Sequence, residues 1–335
     1  MHPAILGLIT IIVGVGGCVG YFYGANLFLD KVLFPARGPN MGRNINRANM
    51  IRPWIFLFPA IAALGLYLAY PVFATLRLSF LERLPGNQYA FVGFENYTQM
   101  FAEPKFMEAM RNNVLWLVVV PAAATAFGLL AAQLTDRLRW GNIAKSIIFM
   151  PMAISFVGAA VIFKLIYEAR PADVAQIGVL NHLYLLFGGT EPQQWLTIPF
   201  WNSFFLMAVL IWIQTGFAMV ILSAALRGVP EETIEAAIID GANPFQIFFK
   251  IKIPQIMGTI VVVWTTITIA TLKVFDIVFA MTNGQWETQV LANYMYDKLF
   301  RANDWGMGSA AAMIIMLLVT PILVWNVYTA RKEMR

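Results

Sequence analysis

The chain has 335 residues, of which 59% are hydrophobic and 12% charged. A soluble domain of this length needs more charged residues to cover its surface, so the composition indicates a membrane protein. One cysteine, Cys18, and two histidines, His2 and His182, exclude a disulfide framework, a thiol metal cage and most histidine-based catalysis. The net charge of +5 is not evidence for nucleic-acid binding, because basic residues of membrane proteins concentrate in cytoplasmic loops.

Long apolar runs divide the chain into seven segments that each meet the requirement of about 20 residues for a helix crossing a bilayer. The first run lacks a basic leading region and a clear small-residue cleavage site, so we expect a retained helix rather than a signal peptide. The sequence therefore predicts an all-α, polytopic membrane protein with spans at residues 4–29, 54–76, 114–134, 147–167, 200–226, 256–280 and 307–328.

The lysines and arginines are divided unequally between the two sets of connecting segments. The richer set holds 14 of them: Lys31, Arg37, Arg43, Arg47, Arg52, Arg137, Arg139, Lys145, Arg227, Lys250, Lys252, Arg331, Lys332 and Arg335. The poorer set holds seven: Arg77, Arg83, Lys105, Arg111, Arg170, Lys298 and Arg301. The richer set should face the cytoplasm, which predicts an external N-terminus and a cytoplasmic C-terminus.

Two loops on the predicted external side, residues 168–199 and 281–306, are of medium length and mixed composition. We expect them to carry short helices, because they are too small to form a separate folded domain. The chain shows no clear internal repeat.

The segment between the fifth and sixth spans, residues 227–255, carries the signals of a helix-turn-helix of about 25 residues. Pro230 suits the first position of a helix, and Gly241 can end that helix. Pro244 can begin a second short helix, and Pro254 marks its end before the sixth span.

The charges of this loop are arranged unusually for a cytoplasmic segment. Basic residues stand at its two ends, near the lipid headgroups, and acidic residues occupy the middle: Glu231, Glu232, Glu235 and Asp240. The first two suit the positive end of the helix dipole, and the small Ala236 and Ala237 allow another surface to come close. These features fit a basic-rimmed cleft on a partner protein, although by themselves they also describe an ordinary solvated helix.

The spacing of the loop distinguishes these alternatives. It reads Glu235-Ala236-Ala237, three residues, Gly241, nine residues, Ile251, one residue and Ile253-Pro254. This pattern resembles the EAA signature of ABC importer permeases, with Ile253 where leucine is usual. In that family the loop docks into the ATPase, so the resemblance implies an ATPase-coupling set of Glu231, Glu232, Glu235, Ala236, Ala237, Asp240, Gly241, Ala242 and Pro254.

Three further stretches, residues 91–97, 240–251 and 273–284, resemble the carbohydrate branch of this family. The likeness is to the maltose-type permease, and particularly to alpha-glucoside permeases, over about residues 50–335. It implies a six-helix permease core in residues 51–335. For residues 1–50, the first apolar run and the basic residues after it predict an N-terminal transmembrane helix with a basic cytoplasmic linker.

The same resemblance implies partners in the bacterial inner membrane. These are a second permease subunit, an ATPase dimer that binds ATP and magnesium, and an extracytoplasmic sugar-binding protein, with lipid around the spans. We expect no cofactor, metal site, catalytic residue or nucleic-acid partner for this chain.

A sugar pathway needs polar groups and flat aromatic faces inside apolar helices, and the fifth and sixth spans offer both. The candidates by residue type are Trp212, Gln214, Thr215, Gly216, Phe217, Thr265, Thr266, Thr268, Thr271, Lys273 and Asp276. The resemblance to the maltose-type permease implies sugar contacts at Leu210, Ile213, Gln214, Phe217, Thr271 and Val274.

Each candidate also has a structural alternative. Gln214 could be a strut between helices, and Trp212 and Phe217 could pack. The threonines could bond to carbonyl groups of their own helix. Lys273 and Asp276, three positions apart, are expected to form a structural or gating ion pair, because unpaired charges in a membrane are costly.

The main functional hypothesis is therefore a non-catalytic half of a heteromeric pore that imports an alpha-glucoside disaccharide or a similar oligosaccharide. The sequence has no phosphate-binding P-loop, so ATP hydrolysis is assigned to the partner. The rivals are an ion-coupled transporter acting alone, which should show repeats and buried carboxylates, and an intramembrane enzyme. Polyols and glycerol phosphate remain open as other substrates of an importer.

Overall fold

The computed structural model describes residues 3–35, 37, 40–86, 88–136 and 138–333 of the chain. Their contacts form two units, Met1–Ala74 and Thr75–Arg335. The predicted division between residues 50 and 51 falls inside a helix of the first unit, Met41–Leu64.

The first unit is a pair of long helices. Helix α1, Pro3–Leu27, continues into a π-helical turn, Phe28–Leu33. Helix α2, Met41–Leu64, is followed by a π-helical turn, Gly65–Ala69, and by α3, Tyr70–Leu78, which crosses into the second unit.

Side-chain contacts join α1 to α2. The Tyr21 hydroxyl donates to the Ile55 carbonyl at 2.7 Å, and the rings of Phe22 and Phe56 meet edge to face with centroids 5.3 Å apart. The rest of α1 exposes apolar side chains, as expected for a helix whose solvent is lipid.

The second unit begins with a small antiparallel hairpin and is otherwise helical. Strands β1, Leu81–Leu84, and β2, Gln88–Phe91, pair in the register Leu81 to Phe91. The helices are α4 Glu95–Ala102, α5 Pro104–Thr135, α6 Gly141–Phe149, α7 Phe156–Ile166, α8 Val179–Leu186, α9 Trp201–Arg227, α10 Glu231–Ile239, α11 Pro244–Gln246, α12 Ile253–Gln255, α13 Met257–Leu272, α14 Asp276–Met281, α15 Leu291–Tyr296 and α16 Trp305–Glu333.

Five helical segments of the described chain are long and apolar enough to cross a membrane. The number rises to seven if each of two bent pairs counts as one span, namely Gly141–Ala153 with Phe156–Ile166 and Pro244–Gln255 with Met257–Leu272. The five correspond to the predicted first, second, third, fifth and seventh spans, with ends that differ by a few residues. The short helices expected in residues 168–199 and 281–306 are also present, as α8 and α15.

The fourth and sixth spans are broken, which corrects the prediction of continuous helices. In the fourth, a 3-10 turn, Met150–Ala153, separates α6 from α7, and the two parts are bent by 103°. Pro151 lies in this turn, where its missing N–H and fixed φ interrupt helical bonding. In the sixth, α13 ends at Leu272 and α14 begins at Asp276, before the predicted end at residue 280.

The core of the second unit lies between α5, α7, α9, α13 and α14, where buried aliphatic side chains from each helix meet. A smaller cluster joins α4, the start of α5, α15 and the start of α16 around Phe106 and Tyr294. The two clusters fix the positions of the broken helices and of the loop between α9 and α13.

Candidate functional sites

The loop predicted to couple to an ATPase is a helix-turn-helix. Helix α10 begins at Glu231, with Glu231 and Glu232 in its first turn, as expected. Pro230 has φ −58° and ψ 132°, so it precedes the helix rather than occupying its first helical position. Its extended conformation turns the chain away from α9.

Gly241 forms the turn that ends α10. Its φ of +79° is in the left-handed region, and a Cβ there would meet no atom within 4 Å. The Gly241 N–H donates to the Ile238 carbonyl at 3.0 Å, and the Ala242 N–H donates to the Ala237 carbonyl at 2.9 Å. This pair of bonds is a Schellman motif, which satisfies the last carbonyl groups of the helix.

The second helical part of the loop has its own N-terminal cap. Asn243 and Gln246 exchange side-chain to backbone hydrogen bonds at 2.9 Å around Pro244. The segment continues through a π-helical turn to Gln255 and then bends by 72° into α13. Pro254 lies in its last turn, as the sequence indicated.

Most of the predicted coupling residues are exposed together on this loop: Glu231, Glu232, Glu235, Ala236, Asp240, Gly241 and Pro254. Ala237 is buried and Ala242 is half-buried. Sequence analysis missed four exposed apolar side chains of the same loop, namely Ile238, Ile239, Phe245 and Phe249. The loop surface is therefore apolar as well as acidic, which is typical of a protein-docking surface.

Polar contacts connect this loop and its neighbourhood to the helix bundle. Lys252 Nζ donates to Gln133 Oε1 at 3.4 Å, near the end of α5. Close by in sequence, Asp136 accepts hydrogen bonds from Lys145 and from Ser223, the latter at 2.9 Å, and Lys145 also donates to Ser223 at 2.6 Å. This network ties α5, α6 and α9 together.

A cavity of ≈ 400 Å³ lies where the break between α6 and α7 meets α9 and α14. The predicted pathway residues Ile213, Gln214 and Asp276 line it, together with Ser155 and apolar neighbours. Ser155 also caps α7 by accepting a hydrogen bond from the Gly158 N–H at 3.1 Å. The cavity combines an amide, a carboxylate and a hydroxyl with apolar walls, a composition that suits a polyhydroxylated ligand.

The remaining predicted pathway residues mostly serve packing in this structure. Leu210 and Val274 are buried in the main core, Phe217 packs against it, and the Trp212 ring lies 5.3 Å from that of Phe163. The hydroxyl groups of Thr215, Thr265, Thr266, Thr268 and Thr271 all bond to carbonyl groups of their own helices. Gly216 lies against the backbone of residues 148 and 149.

The expected ion pair between Lys273 and Asp276 is not formed, although both residues lie in the described part of the chain. The prediction assumed one continuous helix, but Lys273 is the C-cap residue that follows α13 and Asp276 begins α14. Lys273 lines a separate apolar pocket of ≈ 330 Å³ beside Phe275 and Tyr296.

A polar network near α15 was not foreseen from the sequence. Glu103 accepts hydrogen bonds from the Tyr294 hydroxyl and, at 2.9 Å, from Lys298. Burial and the bond to Glu103 raise the pKa of the Tyr294 phenol, so it remains the proton donor of this pair.

Side chains from two helices hold the preceding loop by its backbone. Asn112 donates to the carbonyl of Glu287 at 2.8 Å, and Asn202 donates to that of Trp286 at 2.6 Å. Both loop residues have positive φ, which these bonds help to maintain.

Comparison with known proteins gives concordant results. The family model described as "Binding-protein-dependent transport system inner membrane component" matches residues 107–334. The chain is 60% identical over 337 residues to the alpha-glucoside transport system permease protein AglF of Rhizobium meliloti, covering 99% of both chains. It is 46% identical over 283 residues to the osmoprotective compounds uptake permease protein GgtC of Synechocystis, covering 84% of this chain and 100% of the relative.

Among solved structures, one chain of a bacterial ABC transporter involved in the import of the polysaccharide alginate matches with a TM-score of 0.72. The match has 20% sequence identity and covers 88% of this chain and 99% of that one, so it supports the fold. The chain belongs to the family of binding-protein-dependent transport system inner membrane components, and is thus a permease subunit of an ABC importer that works with a second permease, a separate ATPase and a binding protein.

Proposed function

We propose that this chain forms half of the membrane pathway of an importer for alpha-glucosides or similar small oligosaccharides. The observation that supports this substrate class is the 60% identity, over almost the whole length of both chains, to the alpha-glucoside permease of Rhizobium meliloti. The 46% identity to a permease for osmoprotective compounds makes such solutes the second candidate.

The proposal assigns coupling to the loop of α10 to α12. ATP and Mg²⁺ bind to the ATPase, and movements of that subunit reach the helices through this loop. Its exposed acidic and apolar side chains support the assignment, as does the bend into α13. The loop is cytoplasmic in the orientation with an external N-terminus, which the distribution of lysine and arginine supports.

The proposal places a sugar-contacting site at the cavity lined by Gln214, Asp276 and Ser155. Gln214 and Asp276 offer hydrogen-bond groups to sugar hydroxyls, and neither side chain has a protein hydrogen-bond partner among the described residues. Seven further residues complete the proposed pathway, several of them by packing behind the side chains that line the cavity. They are Leu210, Trp212, Ile213, Phe217, Thr271, Lys273 and Val274.

The substrate assignment is tested with the complete importer reconstituted in vesicles with its cognate binding protein and ATP inside. We expect uptake of a labelled alpha-glucoside disaccharide that an unlabelled alpha-glucoside, but not a polyol or glycerol phosphate, competes away. Competition by an osmoprotective solute and not by the alpha-glucoside would favour the second candidate. Uptake by this chain alone, driven by an ion gradient, would contradict the importer assignment.

The coupling assignment is tested at Gly241. A β-branched residue at φ +79° is strained, so Gly241→Val should distort the turn and reduce ATP-driven uptake by at least about tenfold at normal membrane levels. Gly241→Asn, which tolerates this conformation, should retain most activity. Gly188→Val is the matched control, because Gly188 also has a positive φ of 98° and open space around it. Equal uptake by the valine and asparagine variants would count against the coupling role.

A further inference from the structure

Helix α8 presents an apolar face to its surroundings instead of to the protein. Four apolar residues share this face, with exposed fractions of 54% for Val179, 42% for Leu183, 70% for Leu186 and 84% for Phe187. The spacing of Val179, Leu183 and Leu186 places these three on one side of the helix, where His182 is also exposed, and Phe187 is the residue just beyond the end of the helix. The opposite side, with Leu180, Asn181, Tyr184 and Leu185, turns toward the protein.

The apolar face is held in this orientation by the other side of the helix. Asn181 is completely buried, donates to the carbonyl groups of Glu168 and Gln193 at 3.0 Å, and accepts from the Gln193 N–H at 2.8 Å. The Tyr184 ring meets Trp195 edge to face at 5.5 Å. Because the polar anchor and this aromatic contact are both satisfied, α8 cannot bury its apolar face by rotating without losing them.

The level of α8 along the bundle follows from a chain of ring contacts. Trp195 lies 5.4 Å from Phe205, which is in the second turn of α9. Tyr167, at the end of α7, contacts the same Phe205 ring at 5.3 Å. The helix therefore lies at the level where two membrane-spanning segments end.

The same level carries further exposed aromatic groups. Phe200 and Trp201, at the start of α9, are exposed, and aromatic side chains at span ends are typical of the membrane–water interface. The apolar face of α8 thus lies at the same level as these exposed rings.

We propose that α8 is an interfacial helix whose Val179, Leu183, Leu186 and Phe187 insert into the headgroup–acyl boundary of the outer leaflet. Lipid is the occupant because the only ionisable side chain on this face is the exposed His182, with no acidic residue beside it, and because the face lies level with the aromatic ends of the spans. A short helix with one apolar face, lying in the plane of the interface, binds lipid in this way. The proposal depends on the membrane location of the chain and not on the identity of the sugar.

The experiment measures contact of this face with lipid in the assembled importer. In a Cys18→Ser background, Leu186→Cys is labelled with an environment-sensitive fluorophore, and Asp173→Cys in the polar part of the same loop is the control. The importer is placed in phosphatidylcholine nanodiscs that contain lipids spin-labelled either near the headgroup or near the chain end. We expect quenching at position 186, stronger with the shallow spin label, and little quenching at position 173.

Two outcomes would overturn the proposal. One is the absence of lipid quenching at position 186. The other is quenching in the isolated chain that disappears once the second permease or the binding protein is present, which would show that a protein covers this face.

A second measurement keeps the proposal testable if the label disturbs the helix. Leu186→Ser with Phe187→Ser leaves Asn181 and Tyr184 intact, and a label at Leu183→Cys reports the depth. We expect the quenching at position 183 to fall by at least half relative to the parent. An unchanged depth would contradict insertion of this face.

Discussion

Two glycines determine how closely α9 approaches its neighbours. A Cβ at Gly128 of α5 would lie 2.4 Å from the Ala218 Cβ and 2.9 Å from the Met219 backbone nitrogen. A Cβ at Gly216 of α9 would lie 2.6 Å from the Ile148 carbonyl oxygen. Because the obstructing atoms include backbone, the helices can make room only by moving apart.

We therefore expect Gly128→Ala to lower stability by about 1–3 kcal/mol, the usual cost of overpacking. The measurement is the thermal denaturation midpoint of the purified chain in detergent. Gly65→Ala is the control, since that helical glycine has open space around it and alanine is the better helix former. Equal midpoints for the two variants would mean that α5 and α9 are not in close contact at this point.

The Lys145 network offers a second prediction for single residues. The side chains of Lys145 and Asp136 are only 15% and 21% exposed, so removing the ammonium leaves a largely desolvated carboxylate that keeps the Ser223 donor. Lys145→Met should cost about 1–3 kcal/mol. Lys105→Met is the comparison. The Lys105 ammonium is 52% exposed and therefore already solvated, and Glu108, although its side chain is only 15% exposed, keeps a hydrogen bond from the Gln289 N–H at 3.0 Å, so the loss should cost at most about 1 kcal/mol.

The comparison is made by thermal denaturation in one detergent at low and high salt. Each substitution shifts the denaturation midpoint, and salt should change the small shift of the Lys105 variant proportionally more than the larger shift of the Lys145 variant. The reason is that salt screens exposed ion pairs more than buried ones. A Lys145 effect no larger than that at Lys105 would contradict the structural role of the network.

At the scale of single residues, the sequence predicted those whose role depends only on their neighbours in the chain. Gly241 was identified as a helix stop because few other residues adopt the left-handed conformation, and threonine back-bonding was foreseen as an alternative. Asn112 and Asn202 were missed, because their partners are carbonyl groups distant in the chain. A polar residue in an apolar run does not reveal which distant backbone group it satisfies.

The broken helices show the same limit at the scale of elements. Hydropathy located the fourth and sixth spans, and Pro151 offered a signal for the first break. The second break, at residues 273–275, contains neither proline nor glycine. Helix propensity therefore does not predict this break. In the structure, α14 packs against α7 after the break.

This second break leads to a prediction about charge coupling. Because Lys273 and Asp276 line different cavities, the effects of Lys273→Met and Asp276→Asn should add. A double-mutant cycle on thermal stability should give a coupling energy within about 0.5 kcal/mol of zero. The contact pair Lys298 and Glu103, whose charged atoms are 2.9 Å apart, is the positive control and should couple by more than that.

A coupling energy between Lys273 and Asp276 as large as that of the control pair would contradict the break. It would instead favour the continuous sixth helix that the sequence first indicated. Uptake measured on the same variants separates stability from transport, since Asp276 also lines the proposed sugar site.

For the whole molecule, the apolar runs located each candidate span of the described residues, because the length of a bilayer span is a strong constraint on sequence. They could not show the hairpin of β1 and β2, which needs only eight paired residues outside the apolar runs. They also could not show which exposed apolar residues face lipid and which face partner proteins, since both surfaces have the same composition.

The orientation of the chain is the prediction that belongs to this scale. The segments that carry 14 lysines and arginines should be cytoplasmic and those that carry seven external, because basic residues are retained on the cytoplasmic side during insertion. Alkaline phosphatase fused within residues 168–199 should be active, and a fusion within residues 227–255 should be inactive. A green fluorescent protein at the C-terminus should fluoresce. The reverse pattern would place the loop of α10 to α12 outside the cell, where no ATPase could reach it, and would contradict both the orientation and the coupling role.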